Sequence, residues 1–222
     1  MRVSNGECVG ILGSNGAGKT TLLNAVSRLV PYRGEVRLDG RLVIGRPEEV
    51  VRLGIVHVLE GRHIFPELTV WENLQLARFG FRKPDFNRRF DDVLQFFPAL
   101  QPKLKDRAGG LSGGQQQILA IARGLLCAPS VLILDEPSLG LAPVVVDQLA
   151  DLIPALRKEW ETTVLISEQF VQLVLAVAER VYVLQGGRVV HSGPANAALL
   201  SDAVLTSYLG DSAVAAREAL SG

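Results

Sequence analysis

A glycine-rich segment, GSNGAGKT at residues 13–20, stands between an apolar run and a stretch with helical spacing. The apolar run before it, Cys8–Leu12, has the length of a buried strand, and the stretch TTLLNAVSRL after it is typical of a helix. Glycine permits the sharp turn that joins a strand to a helix over so few residues. The segment therefore predicts a strand, a tight loop and a helix in succession, which is the repeating unit of α/β folds.

Short apolar runs recur later in the chain. Three of them have the length of strands and do not alternate with polar residues: Val131–Leu134, Thr163–Ile166 and Val181–Leu184. Strands of this kind are expected to be covered on both faces, as in a parallel sheet. A helical stripe lies between the first apolar run, Cys8–Leu12, and Val131–Leu134; it begins near Ser112 and contains Ile118, Ile121, Ala122 and Leu125. The whole pattern predicts an α/β architecture.

Composition limits the classes of protein to which the chain can belong. Its 222 residues, 48% of them hydrophobic and 21% charged, are enough for a buried core, so we expect a globular protein. The 23 Lys and Arg residues balance 23 Asp and Glu residues, so we expect no nucleic-acid partner. Two cysteines are too few for a disulfide framework and favour a reducing compartment. No apolar stretch is long enough to cross a bilayer, so we expect neither a membrane span nor a signal peptide.

The middle of the chain differs from its two ends, because residues 71–126 are more polar and lack strand-like runs. We therefore predict one domain over residues 1–210, with a helical subdomain at about 71–126 and a tail at 211–222. The basic residues of this subdomain are expected to form a solvated face, and a binding patch is the alternative. They are Arg82, Lys83, Arg88, Arg89, Lys103, Lys105 and Arg107.

The glycine-rich segment also fits the pattern G-x-x-x-x-G-K-[ST], with Gly13, Gly18, Lys19 and Thr20 at its fixed positions. Glycines let backbone N–H groups approach phosphates, and the start of the following helix adds partial positive charge. Lys19 is expected to bridge the β- and γ-phosphates of ATP, and the hydroxyl of Thr20 to ligate Mg²⁺. An ordinary strand-to-helix turn is the alternative. The predicted nucleotide ligands of this loop are Gly13, Ser14, Asn15, Gly16, Ala17, Gly18, Lys19, Thr20 and Thr21.

Two carboxylates follow the apolar run VLIL in the segment VLILDEP. Asp135 ends a predicted buried strand, and ligands of open α/β sheets bind at that end of the strands. We expect Asp135 to hold Mg²⁺ through water. Glu136 is expected to act as the general base for the water that attacks the γ-phosphate. A plain strand-ending turn would explain the pair alone, but the lysine loop favours the functional interpretation.

The segment LSGGQQQ, residues 111–117, predicts a second anion site. Ser112 is a good helix N-cap, and Gly113 and Gly114 remove side chains from the first turn. Because the chain already has its own phosphate loop, a second site suggests that this helix binds a nucleotide held by another subunit.

In this order the motifs resemble those of the ATP-binding subunits of ABC transporters. The similar segments are residues 13–20 for the Walker A motif, 111–115 for the LSGGQ signature, 131–136 for the Walker B motif and 138–143 for the D-loop. The resemblance extends to about Gly210. It implies a P-loop NTPase fold, with a RecA-like core, a parallel sheet and an inserted helical subdomain.

The resemblance also implies a head-to-tail dimer that closes on two ATP molecules and drives a membrane permease. Each nucleotide would lie between the Walker A loop of one subunit and four signature residues of the other, namely Ser112, Gly113, Gly114 and Gln115. The expected cofactors are ATP and Mg²⁺, and the expected location is the cytoplasmic face of the membrane, held peripherally.

Two departures from the general family pattern are informative. Glu60 stands where most members carry a glutamine that ligates Mg²⁺, and Gln169 stands where most carry a switch histidine. Together with EGR-x-IFPELTV-x-EN, both resemble branched-chain amino acid transport ATPases of the LivF type. Glu60 is then a metal ligand, and Gln169 is a catalytic residue that hydrogen-bonds the γ-phosphate without titrating near neutral pH.

The partners implied by this resemblance are a second ABC ATPase subunit, identical or different, permease subunits and, indirectly, an extracytoplasmic substrate-binding protein. The alternatives are an importer of urea or short amides and a soluble ABC ATPase acting on DNA or ribosomes. A regulatory module that binds nucleotide without hydrolysing it is a further alternative, which Glu136 disfavours.

Comparison with the family pattern also indicates an unusual start of the chain and a loop that is expected to contact the permease. No aromatic residue precedes Gly13. Only twelve residues precede Gly13, whereas family members usually have about twenty more there, including a strand and an aromatic residue that stacks on adenine. Either the start codon is misassigned, or the N-terminal edge strands are partly missing and ATP binds without an aromatic partner for adenine. The predicted permease contacts are His63, Ile64, Phe65, Pro66, Leu68 and Trp71, with core packing as the alternative for the last two. We predict no function for His57 and His191.

Overall fold

A computed structural model describes residues 1–80 and 85–195 of the chain. Its strands are β1 (Cys8–Leu12), β2 (Arg37–Leu38), β3 (Arg41–Leu42), β4 (Ile55–Val58), β5 (Val131–Asp135), β6 (Thr163–Glu168), β7 (Arg180–Gln185) and β8 (Arg188–Pro194). Its α-helices are α1 (Lys19–Val26), α2 (Pro47–Leu53), α3 (Val70–Gln75), α4 (Phe86–Phe96), α5 (Gly113–Leu126), α6 (Pro143–Trp160) and α7 (Val171–Val177). Short 3₁₀ helices cover Leu76–Phe79, Pro98–Lys103 and Ala108–Gly110.

The main sheet has the strand order β4-β5-β6-β1-β7-β8 and is parallel except for β8, which runs antiparallel to β7. All four predicted strands are present, whereas β4 and β8 were not predicted. Leu12 pairs with Glu168, and Asp135 pairs with Ser167. The carboxyl ends of β1, β5 and β6 therefore meet at one edge of the sheet.

Both faces of the sheet are buried, because neighbouring residues of a strand point to opposite sides. In β5, Leu132 and Leu134 belong to one apolar cluster and Ile133 belongs to the other. The first cluster includes residues of α3, α5, α6 and α7, and the second includes Leu23 of α1 and Val50 of α2. Each fully buried aliphatic side chain contributes roughly 1.5–3 kcal/mol. The two-sided burial explains why these strands do not alternate with polar residues.

Helices and 3₁₀ turns occupy the described chain between β4 and β5, where a helical subdomain was predicted. On α5, Ile121, Ala122 and Leu125 of the predicted stripe are fully buried, and Ile118 packs at the edge of the core. The domain boundaries themselves remain predictions, and the predicted tail at 211–222 lies outside the described residues.

One basic residue of this segment contradicts the expectation of a solvated face. Arg89 is half-buried and donates from Nε and Nη2 to the carbonyl of Leu125, at 3.1 and 3.0 Å. Its guanidinium also lies 4.9 Å from the ring centroid of Trp160. The Leu125 carbonyl in the last turn of α5 also accepts the N–H of Ala128 at 2.9 Å, so this arginine adds further donors to a carbonyl that has no partner within the helix itself. Arg82 and Lys83 lie outside the described residues.

Two expectations drawn from composition can be compared with the structure. Cys8 and Cys127 are both free thiols. Across residues 1–80 and 85–195, no helix combines the length and the apolar character that a membrane span requires.

Candidate functional site

The glycine-rich loop follows β1 directly and leads into α1. Gly16 and Gly18 have φ of 79° and 103°, in the left-handed region that favours glycine. A Cβ added to Gly13 would lie 2.8 Å from both the Ala17 side chain and the Leu184 carbonyl oxygen. No other residue fits there without displacing β7, so the sequence of the loop is dictated by its close backbone packing.

Lys19 is the first residue of α1 and is buried, with 4% of its surface exposed. Its Nζ lies 2.9 Å from a carboxylate oxygen of Glu136 and 2.6 Å from the Gly13 carbonyl oxygen. A buried ammonium group needs such partners, because an uncompensated charge in the interior is strongly unfavourable. The predicted phosphate ligand and the predicted general base are therefore neighbours.

Ser167 of β6 contacts both predicted acidic residues, through the carboxylate of Asp135 and the backbone N–H of Glu136. Its hydroxyl donates to Oδ1 of Asp135, while its carbonyl and hydroxyl oxygens accept the N–H of Glu136 at 3.0 and 3.2 Å. Glu136 has a φ of 45°, which is strained for a residue with a side chain and is typical of functional positions. Ser167 was not predicted as a site residue, since only the pairing of β5 with β6 reveals its position.

The predicted ligands line two adjoining cavities. One, of about 280 Å³, is lined by Ser14, Asn15, Gly16, Gly18, Lys19, Thr20, Thr21, Glu60, Glu136 and Leu139. The other, of about 360 Å³, brings together all three predicted metal ligands, Thr20, Glu60 and Asp135. Gly13 and Ala17 are buried within the loop and line neither cavity.

The signature segment lies apart from these cavities. Ser112 caps α5 by accepting the N–H of Gln115 at 3.3 Å, and the Gln115 side chain accepts the N–H of Ser112 at 3.0 Å. Ser112 is exposed, as expected for the start of a helix that faces another molecule. None of residues 112–115 is found among the described residues that line the two cavities. Within one chain the two predicted halves of the nucleotide site do not meet.

The glutamate before the predicted switch residue is buried. Glu168, the last residue of β6, is 1% exposed and accepts the N–H of Ser138 at 2.9 Å. Burial raises the pKa of Glu168 to about 7, against the opposing effect of the Ser138 hydrogen bonds. Gln169 follows it and is half-buried. The titratable group at this point of the chain is therefore Glu168, which was not predicted from the sequence.

A histidine also borders Asp135. Nδ1 of His57 is 2.9 Å from the Ser27 hydroxyl, and Nε2 is 4.0 Å from Oδ2 of Asp135. Burial lowers the pKa of His57 to about 4, so the ring is neutral and the contact is not an ion pair.

The loop after Glu60 has an unusual backbone that connects it to α5. Gly61, Arg62 and His63 have positive φ values of 81°, 69° and 44°. Two arginine contacts hold this conformation. Arg62 donates to the Gln116 side chain at 3.1 Å, and Arg123 donates to the His63 carbonyl at 2.7 Å. Because Gln116 and Arg123 both lie on α5, these two hydrogen bonds connect the Glu60 loop directly to the signature helix.

Comparison with known proteins is consistent with this geometry. A relative in Pseudomonas aeruginosa, the high-affinity branched-chain amino acid transport ATP-binding protein BraG, is 42% identical over 212 residues, covering 95% of this chain and 91% of the relative. The ATP-binding cassette MJ1267 of an ABC transporter, in its ADP conformation, superposes with a TM-score of 0.84 at 26% identity, covering 95% of this chain and 90% of that one.

A third similar protein is the ATP-binding cassette MJ0796, solved as a dimer in a post-hydrolysis state with ADP and Pi. It superposes with a TM-score of 0.76 at 27% identity, and 88% of each chain is covered. The family model described as ABC transporter matches residues 1–139. The phosphate loop, the paired carboxylates and these similarities lead to one conclusion: the chain belongs to the ABC transporter family.

Proposed function

We propose that this chain is the ATP-binding and ATP-hydrolysing subunit of an ABC importer for branched-chain amino acids. The observation that carries the proposal is the 2.9 Å contact between Lys19 and Glu136 at the edge of the sheet where β1 and β5 end. It unites a phosphate-binding cation and a general base around one cavity. The transported substrate is inferred from relatives such as BraG, since the amino acid itself would bind to other subunits.

The residues present fit a magnesium-bound nucleotide. The loop around Gly13 has no room for a Cβ, and Oδ2 of Asp135 is buried without a hydrogen-bond partner among the described residues. Thr20, Glu60 and Asp135 would hold the metal, with oxygen ligands that suit Mg²⁺. Bound Mg²⁺ would neutralise charge on the phosphates.

The chain's own groups would then perform hydrolysis. The ammonium group of Lys19 binds phosphate oxygens in place of the Glu136 carboxylate, which frees that carboxylate. Glu136 accepts the proton of the attacking water at its carboxylate oxygen. Its strained backbone and the hydrogen bonds from its N–H to Ser167 fix the direction of the side chain. Gln169 contributes a hydrogen bond to the γ-phosphate and no charge.

A second subunit would complete each nucleotide site. The exposed, capped start of α5 at Ser112 is supported as an anion-binding surface by its two glycines and by the helix dipole. The dimeric state of MJ0796 supports the same arrangement. The second subunit is an identical copy or a related ATPase, and it receives Ser112, Gly113, Gly114 and Gln115 against its own nucleotide.

The permease would bind in an apolar groove beside the Glu60 loop. A cavity of about 490 Å³ lies among β4, α2 and α5. Phe79 is 81% exposed and Phe65 is 52% exposed at its rim, and clustered exposed apolar groups mark interaction sites. His63 also lines the groove, while Ile64 packs against the core. A permease helix with an apolar face is the proposed occupant, which would hold the chain at the cytoplasmic face of the membrane.

Reconstitution tests the proposal. The chain would be co-purified with its permease subunits, placed in liposomes and assayed for ATPase activity with an extracytoplasmic substrate-binding protein. We expect stimulation by leucine, isoleucine or valine, no stimulation by urea or short amides, and no activity with Lys19→Ala. Stimulation by urea or amides alone would replace the proposed substrate, and activity without any permease effect would favour a soluble ATPase.

A further inference from the structure

The buried carboxylate of Asp135 lies beside a histidine for which the sequence predicts no function. Nε2 of His57 is 4.0 Å from Oδ2 of Asp135, and the two side chains are 5% and 0% exposed. Neither atom has a hydrogen-bond partner among the described residues. An unpaired buried polar atom is unfavourable by about 1–3 kcal/mol. A shift of about 1 Å would bring the two atoms to hydrogen-bond distance.

The neighbours of His57 determine which ring nitrogen carries the proton. The Ser27 hydroxyl, 2.9 Å from Nδ1, can donate to that nitrogen or accept from it. If Nδ1 carried the proton, the lone pair of Nε2 would face a negatively charged carboxylate in a buried site. If Ser27 donates to Nδ1, Nε2 presents an N–H group to Oδ2 instead. Electrostatics therefore favours the neutral ring with its proton on Nε2.

The strands on the two sides of β5 supply partners for the two oxygens of Asp135. Ser167 on β6 donates its hydroxyl to Oδ1, and His57 on β4 lies next to Oδ2. His57 in turn contacts Ser27, the residue that ends α1, the helix that begins with Lys19. The contacts thus connect the end of the phosphate-loop helix to the carboxylate proposed to bind Mg²⁺ through water.

We propose that His57 is a positioning residue for the magnesium-ATP site: in the loaded site its Nε2–H closes the 4.0 Å gap to Oδ2 of Asp135, donates to that oxygen and, with Ser167 at Oδ1, fixes the plane of the carboxylate. The inference rests on the proposed function, because it assumes that Asp135 acts on bound Mg²⁺. Groups that hydrogen-bond metal-binding side chains alter metal affinity by about 10- to 100-fold when they are removed.

Two substitutions separate the donor from the bulk of the ring. His57→Phe keeps an aromatic ring without the N–H, and His57→Gln keeps an N–H donor near the same place. His191→Phe, on β8 at the opposite edge of the sheet, is the matched control. The readouts are Mn²⁺ affinity of the ATP-loaded protein by electron paramagnetic resonance and the Mg²⁺ concentration for half-maximal ATPase activity. Thermal unfolding checks that each variant is folded.

We expect His57→Phe to weaken Mn²⁺ binding and raise the Mg²⁺ requirement about tenfold, with the KM for ATP at saturating Mg²⁺ unchanged. His57→Gln and His191→Phe should resemble the wild type. Equal effects of Phe and Gln at position 57, or no effect of Phe, would overturn the inference.

A measurement on the wild-type protein does not depend on any variant folding. The ¹⁵N chemical shifts of the His57 ring report its tautomer, and we expect the proton on Nε2 with and without Mg²⁺-ATP. A proton on Nδ1 would reject the proposed donor. If the wild-type protein fails to bind Mg²⁺-ATP at all, the proposed function fails. If it binds Mg²⁺-ATP but His57 has the other tautomer, only this inference fails.

Discussion

The ammonium group of Lys19 and the carboxylate of Glu136 form a 2.9 Å ion pair in which the side chains are only 3% and 8% exposed. Removing one partner of such a pair leaves a buried charge and is unfavourable by roughly 3–5 kcal/mol. In the proposed function, the phosphates of ATP would release Glu136 by supplying another negative charge to Lys19. We therefore propose that nucleotide binding and activation of the base are linked through this one contact.

Glu136→Gln tests this linkage. We expect the variant to bind ATP at least as tightly as the wild type, because Lys19 no longer has a competing carboxylate. Hydrolysis should fall by about 10²- to 10⁴-fold, the usual contribution of a general base. Nucleotide affinity by fluorescence and phosphate release would be measured in parallel, with the exposed Glu159→Gln as the control. Wild-type turnover in Glu136→Gln would refute the base assignment.

The raised pKa of buried Glu168 leads us to predict a specific dependence of folding stability on pH. Its pKa is raised from an ordinary 4.5 to about 7 by burial. Between these values the folded chain holds a proton that the unfolded chain has lost, so this contribution to stability is present below about pH 4.5 and is lost as the pH rises through 7. At about 1.4 kcal/mol per pH unit, the loss approaches roughly 3 kcal/mol.

The measurement for Glu168 is chemical unfolding from pH 5 to pH 8 for the wild type and Glu168→Gln. The amide keeps an acceptor for the Ser138 N–H and does not titrate. The stability of the variant relative to the wild type should therefore increase with pH. A difference that stays constant over this range would show that Glu168 is ionised throughout.

The packing of Gly10, in the centre of β1, against α7 leads to a prediction about stability. A Cβ at this position would lie only 2.2 Å from Cγ1 of Val174 on α7. Gly10→Ala should destabilise the protein by about 1–3 kcal/mol through overpacking. Adding Val174→Ala should recover part of that loss, and urea unfolding of both single variants and the double variant gives the coupling energy. Strictly additive effects would contradict the close contact.

The main features of the fold follow from local sequence. The strands β1, β5, β6 and β7 are short apolar runs, and Ser112 starts α5 as its N-cap, so pattern and capping chemistry suffice there. β4 is harder to recognise, because IVHV contains a histidine that turns toward Ser27. Arg89 was expected to be solvated and is half-buried, since its partner, the Leu125 carbonyl, is distant in sequence.

The residues of the candidate site also fall into two groups, those predicted from local motifs and those that only the folded structure reveals. Motif spacing predicted Lys19 and Glu136, and the structure brings them together. Ser167, Glu168 and His57 were not predicted, because each acquires its position from strand register rather than from a local motif. Register depends on which strands become neighbours, and no short segment contains that information.

The central claim is that two subunits share each nucleotide, and ATP-dependent association tests it most directly. Sedimentation would be measured for Glu136→Gln with and without Mg²⁺-ATP, alone and mixed with a second ATPase subunit of the same transporter. We predict a dimer only with ATP, and its loss on adding Ser112→Glu, which places a negative charge against the partner's phosphates while ATP binding to the monomer is retained. A dimer that forms equally well without ATP, or that Ser112→Glu leaves unchanged, would contradict the proposal that two subunits share each nucleotide.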